Sequence, residues 1–240
     1  MDSIIFTCLK PDKPNNKNAY IIVLAYNESK EVLSMVLEQL LSTPFQVILV
    51  DDGSVEPVVN FPSERIILAR HPINLGQGAA LQTGFIVARN KNADYVITYD
   101  ADGQHQPSDI YNLLEPLIND EADVTLGSRF LQEGHHNAGI VRRLMLFVAR
   151  IINNFLTGLS LTDAHNGLRG LNKKALQKIS LTENRMAHAT EFIHKIKRYK
   201  LRYSEVPVHI FYNEYSKKKG QNFTDGFRVL FDIVLHKLFE

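Results

Sequence analysis

Cysteine is nearly absent from this chain, and its scarcity excludes two classes at once. The single Cys8 among 240 residues can close no internal disulfide, so a packed core has to supply stability. It also excludes a cysteine-based zinc cluster. An excess of one charge is missing as well. Lys and Arg number 27 against 26 Asp and Glu, a net charge of +1, so no global field draws the chain to nucleic acid. Long hydrophobic runs are missing too. The best candidate, Leu144 to Leu161, is interrupted by Arg150, Asn153 and Asn154, whereas a spanning helix needs roughly 18 or more apolar residues. The first residues hold a short apolar run (Ile4, Ile5, Phe6) without the basic flank of a secretory signal. The expectation is a cytoplasmic protein that meets a membrane only from its surface or through a membrane-protein partner. There is no internal repeat or low-complexity tract.

What is present suits one α/β domain. The hydrophobic share of 45% is ample for a core. Residues 10–19 (KPDKPNNKNA) are polar and read as part of a loose arm, 1–19. Tyr20–Leu24, Phe45–Val50, Arg65–Ala69, Tyr95–Tyr99 and Asp123–Leu126 are of strand length. Helical patterns cover Glu31–Leu41 (Val32, Met35, Val36, Gln39 and Leu40 at helical spacing), Gly76–Arg89, and Pro107 to about Ile118. Further helices are expected over Val141–Leu156 and Ala187–Lys200, and Tyr203–Phe211, with Pro207, reads as an edge strand. Asn222–Glu240 forms an amphipathic C-terminal helix that fits either its own domain or a membrane surface. Alternating strands and helices imply a mainly parallel sheet flanked by helices. Apolar strands such as VILV and YVIT suit burial on both faces.

Polar residues follow the strands' carboxyl ends, where open α/β sheets bind ligands. Asn27-Glu28, Asp51-Asp52 and Asp100-Ala101-Asp102 should therefore converge on one crevice. Paired carboxylates there suit a hard divalent ion such as Mg²⁺ or Mn²⁺ that also bridges phosphates. Gln104 and His105 follow directly and can add a ligand. Taken alone, Asp100–Asp102 and Asp51-Asp52-Gly53-Ser54 are more simply read as capped turns, and Asn27 can cap a helix. The turn Leu75-Gly76-Gln77-Gly78 opens a helix whose N–H groups can face a phosphate. It is neither a Walker loop nor a Rossmann fingerprint.

In order, Ala25-Tyr26-Asn27-Glu28, Val50–Ser54, Asn74–Gly78 and Asp100–His105 resemble the family 2 inverting glycosyltransferases, nearest the dolichyl- and polyprenyl-phosphate sugar transferases. The resemblance continues through Gly127-Ser128-Arg129-Phe130, Asp163–Arg169 (DAHNGLR) and Glu205-Val206-Pro207-Val208, and so spans about residues 20–221. It implies a GT-A fold and a UDP- or GDP-sugar donor. Ala25, Tyr26, Glu28 and Asp52 would border the nucleoside, Asp100 would touch the donor, and Asp102 with Gln104 would hold Mg²⁺ or Mn²⁺. Arg129 and Arg143 would meet phosphate. Asp163 is the candidate general base for a hydroxyl acceptor, or an orienting group if the acceptor is a polyprenyl phosphate. The basic loop with Lys217, Lys218 and Lys219 either closes over the diphosphate or is a solvated charge run. The expectation is sugar transfer to a polyprenyl phosphate at the inner membrane face. Transfer to a saccharide in surface polysaccharide assembly, nucleotidyl transfer and a non-catalytic scaffold are the alternatives.

Overall fold

The computed structural model describes residues 18–58, 63–131, 158–163, 166–185 and 187–211. The expected helices over Val141–Leu156 and Asn222–Glu240, with Arg143 and Lys217, lie outside them. In chain order the elements are β1 (Ala19–Ala25), α1 (Lys30–Leu41), β2 (Gln46–Asp51), β3 (Ile66–Arg70), α2 (Gln77–Asn90), β4 (Tyr95–Asp100), α3 (Ser108–Ile118), β5 (Val124–Ser128), β6 (Arg169–Asn172), α4 (Lys173–Lys178), α5 (His188–Arg198) and β7 (Tyr203–Pro207). One sheet runs β3-β2-β1-β4-β6-β5-β7. Every pairing is parallel except those of β6, which runs antiparallel between β4 and β5.

Continuous apolar strands fill both faces. Ile21, Val23, Leu49 and Ile97 point to the side covered by α1 and α3. Ile22, Ile48, Val50 and Val96 point to the side covered by α2, α4 and α5. Each fully buried aliphatic side chain contributes roughly 1.5–3 kcal/mol. In α1 the buried stripe is Leu33, Val36, Leu37 and Leu40. The expected face was thus rotated: Met35 is exposed, because an i, i+3, i+4, i+7 stripe starting at Leu33 is the more apolar one. Ser29, not Asn27, caps this helix through Val32 N–H.

Two elements escaped the sequence reading. The four residues of β6 (RGLN) have no alternation, and Gly170 leaves room for Thr125 Oγ1 and Ile97 Cδ1, which an added Cβ would meet at 2.2 and 2.9 Å. The helix α4 is only six residues long and starts at the Asn172 cap. The arm was also expected to run through Ala19, which instead opens β1.

At the opposite end of the sheet from the strands' carboxyl edge, Asp123 is fully buried. It accepts from Asn172 Nδ2, Lys174 Nζ, the Arg202 guanidinium and Arg202 N–H, and so ties β5, β6, α4 and β7 together. Burial works to raise this carboxyl, but the donors outweigh it and hold it well below the usual carboxylate range. A depressed carboxyl stabilises the fold above its unfolded-state pKa and loses that contribution as pH falls through the folded value. Asp123→Asn is expected to lower the urea midpoint near neutral pH. Its difference from wild type should narrow as pH drops from about 4 toward 2, checked by urea titrations across that range.

Candidate active site

The crevice lies outside the carboxyl ends of the central strands, and its left wall is built by internal capture. Asn27 adopts φ 51°, tolerable for asparagine. Its N–H donates to Ser54 Oγ and its Oδ1 accepts from Val55 N–H, joining the turns after β1 and β2. Asp51 is buried and accepts from Ser54 N–H and Val58 N–H, with Arg70 Nε at 3.3 Å. Asp52 accepts from His71 Nδ1 at 2.7 Å and from the N–H groups of Leu75 and Gly76. Its carboxylate thus shapes the 71–76 turn, a role the sequence did not disclose. Ala25 is buried and its carbonyl accepts Asp52 N–H, whereas Tyr26 is exposed and Glu28 half-exposed.

The glycine turn packs against a segment distant in sequence. Gly78 N–H and Ala79 N–H donate to the Asn184 carbonyl, and Gly76 N–H serves Asp52. A Cβ on Gly76 or Gly78 would stand 2.3 Å from Asn184 O or 1.9 Å from Glu183 O. These glycines admit the 183–185 segment against α2, and the N–H groups of Gly76, Gly78 and Ala79 are already bonded.

The acidic loop follows β4. Asp100 Oδ2 lies 3.2 Å from His105 Nε2. Burial would raise the Asp100 carboxyl, but the His105 hydrogen bond and charge, backed by Arg169, hold it below its ordinary value. Asp102 moves the other way, raised by burial and by the Asp100 charge. Gln104 donates through its N–H and its side-chain amide to Asp102. His105 is buried, its carbonyl accepts Tyr99 O–H, and Nδ1 has no partner among the described residues. This histidine therefore orients Asp100.

The right wall is a chain of buried polar groups. Gly167 lies against Asp100 so closely that a Cβ would meet Oδ2 at 2.2 Å. Asn166 Nδ2 reaches Asp163 Oδ2 at 3.4 Å. The same Oδ2 accepts Arg129 Nε at 2.6 Å and Arg129 N–H at 3.2 Å. Arg129 and Asp163, 34 positions apart, are 8% and 4% exposed. Arg169 is buried with its guanidinium 4.7 Å from the Phe192 ring. Burial lowers it to about 10, opposed by Asp100 and Asp163. His188, on α5, donates Nδ1–H to the Arg185 carbonyl, which can only accept, and burial and then Arg169 push its pKa down to about 4 and keep it neutral. Sequence reasoning named Asp163, Arg129 and Asp100 and had Asp163 orienting Arg169 or the acceptor, but it did not give the Arg129–Asp163 pair nor the place of Gly167 and His188 beside them.

The family model of glycosyl transferase family 2 matches residues 20–180, and the chain belongs to that family. A UDP-N-acetylglucosamine–dolichyl-phosphate N-acetylglucosaminyltransferase of Methanococcus voltae is 31% identical over 93% of this chain and 97% of its own length. A polyprenol monophosphomannose synthase of Mycolicibacterium smegmatis is 29% identical, covering 68% of this chain and 64% of its own. Among solved structures, mannosyl-3-phosphoglycerate synthase from Rubrobacter xylanophilus aligns with a TM-score of 0.68 at 16% identity, over 90% of this chain and 71% of its own. Glucosyl-3-phosphoglycerate synthase from Mycobacterium tuberculosis, solved with Mn²⁺, UDP-glucose and phosphoglyceric acid, aligns at 0.61 and 16%, over 85% and 75%. The fold is GT-A, as expected, and the chain is a family 2 glycosyltransferase.

The donor set at the acidic loop fits a divalent cation. Among the described residues no three His, Cys, Asp or Glu side chains form a ready cage. Mg²⁺-type sites, however, need only one or two carboxylates, with water and substrate phosphate completing the shell. Asp102, raised by burial and by the Asp100 charge beside it, has an electrostatic use for an added positive charge.

Because Gly167 touches Asp100, Gly167→Ala should displace that carboxylate while leaving the sheet intact. The expected outcome is an unchanged circular dichroism spectrum with sugar transfer down by about a hundredfold, the order produced by an ångström of misplacement.

Proposed function

We propose that this glycosyltransferase moves a sugar from a UDP- or GDP-linked donor onto a polyprenyl phosphate at the cytoplasmic face of a membrane. The observation that carries the acceptor is the commitment of Asp163 to Arg129. A hydroxyl acceptor needs a base for its proton, whereas a phosphate oxygen is already ionised. Asp163 is buried, and its Oδ2 takes three donors, two of them from Arg129. It serves the arginine, whose planar fork suits a phosphate. The names of the two relatives support the same acceptor class, and that of the Methanococcus voltae enzyme supports a UDP-linked donor.

In this reading Ala25, Tyr26, Glu28 and Asp52 border the nucleoside, and Asp100 faces the donor. Asp102 and Gln104, with Asp100, would hold Mg²⁺ or Mn²⁺, which neutralises a diphosphate leaving group. His105 keeps Asp100 ionised and oriented. Arg129 holds the acceptor phosphate so that one oxygen attacks the anomeric carbon from the side opposite the diphosphate, giving inversion. Arg143 and Lys217 are further phosphate contacts, the GT-A domain runs from about residue 20 to 221, and residues 222–240 lie along the membrane surface or a membrane-protein partner. No described helix is long and apolar enough to cross a membrane.

The test is release of UDP or GDP from a panel of nucleotide-sugars, with Mn²⁺ and a short polyprenyl phosphate. Acceptor-dependent release is expected, abolished by Asp102→Ala. Asp163→Asn should raise the acceptor KM and lower kcat by less than about tenfold. A kcat loss of about 10²–10⁴-fold, the size of general-base catalysis, would sink the phosphate reading, as would transfer only to a saccharide.

A further inference from the structure

Glu205 stands on β7, the edge strand that pairs only with β5 among the described residues, and it makes more contacts than an edge residue requires. Oε1 accepts Thr162 N–H at 2.8 Å, Thr162 Oγ1–H at 2.8 Å and Asp163 N–H at 3.2 Å, and Oε2 accepts Thr162 N–H at 3.0 Å. With its own proton given to Glu205, Thr162 Oγ1 is the acceptor in its 2.6 Å contact with Ser128 Oγ. Ser128 Oγ in turn accepts Phe130 N–H at 3.2 Å. The two neighbours of Arg129 are therefore tied to Glu205 through Thr162. Its side chain is tied to Glu205 through Asp163, whose N–H Glu205 receives and whose Oδ2 receives Arg129.

The geometry points to Glu205 as a positioning residue that aims Arg129 at the acceptor phosphate. A backbone held on both sides and a guanidinium held at Nε leave Arg129 few ways to turn. Pre-ordering of this kind matters most for a group that must meet an anion in one orientation. A carboxylate suits this place because its oxygens accept all three donors of the loop, Thr162 N–H being shared between them, and it brings no donor of its own, whereas an amide presents one acceptor oxygen and two donors. Glu205 touches neither substrate: it acts through Arg129. This inference rests on the acceptor reading above.

The experiment is a double-mutant cycle in the full chain, with transfer to polyprenyl phosphate measured at saturating donor and then at saturating acceptor. Glu205→Ala is expected to raise the acceptor KM by about tenfold, the equivalent of one charged hydrogen bond. Glu205→Gln should give a smaller rise, and the donor KM should stay within about twofold of wild type. In an Arg129→Ala background, Glu205→Ala should add nothing to the loss in acceptor kcat/KM, because the residue it aims is gone. Thr162→Val, which keeps shape and removes the hydroxyl link, should act in the same direction and serves if Glu205→Ala does not fold. The inference is overturned if the Glu205 and Arg129 effects multiply, if donor and acceptor KM rise together, or if acceptor KM does not move. Should the wild type transfer only to a saccharide, the phosphate reading fails on its own, while the same non-additivity on the saccharide KM still decides whether Glu205 acts through Arg129.

Discussion

Asp100 keeps its place only because residue 167 has no side chain. A Cβ there would overlap the carboxylate, so the loop preceding β6 can lie against the acidic loop only as glycine. That contact joins the two walls of the crevice. Thr98, two residues back from Asp100 and on the same face, accepts Arg169 N–H and donates to the Gly167 carbonyl. Asn166 then reaches Asp163, and Asp163 holds Arg129. The antiparallel insertion of β6 between β4 and β5 is what delivers this loop to the carboxyl end of the sheet, against the direction of every other strand.

Charge in the crevice is arranged by burial as much as by pairing. Asp100 stays ionised because His105 and Arg169 face it, while Asp102 beside it is raised. A cationic wall of Arg129 and Arg169 stands opposite an acidic loop, so the crevice presents fixed charge of both signs. Burying Arg129 has a cost that only good pairing offsets. Asp163 and the Glu205 clamp behind it provide that pairing, and they also fix where the guanidinium points.

Much of this was legible along the chain, and the misses have physical reasons. Strands with buried faces on both sides announce themselves by unbroken runs such as VILV, and the acids past their ends mark the crevice edge. The α1 stripe was misread because Val32 and Met35 are apolar but lie off the buried stripe, Val32 half-buried and Met35 exposed, and composition alone does not choose between adjacent stripes. The structural duties of Asp52 and Gly76 were not legible: Asp52 closes the 71–76 turn and Gly76 admits a neighbouring backbone, contacts that join residues distant in sequence. Nothing in RGLN signals a strand: its pairing is provided by β4 and β5, not by its own propensity.

The sequence by itself determined the family, the sheet's parallel core and the set of residues able to carry the chemistry, since hydrophobic periodicity and motif order are properties of the chain alone. Only the tertiary structure decided which of those residues meet. Arg129 and Asp163 are 34 positions apart, and Thr162 and Glu205 are 43. Such partners are chosen by where β5, β6 and β7 lie side by side, and strand order is set by packing against the whole core, which no local stretch of sequence encodes.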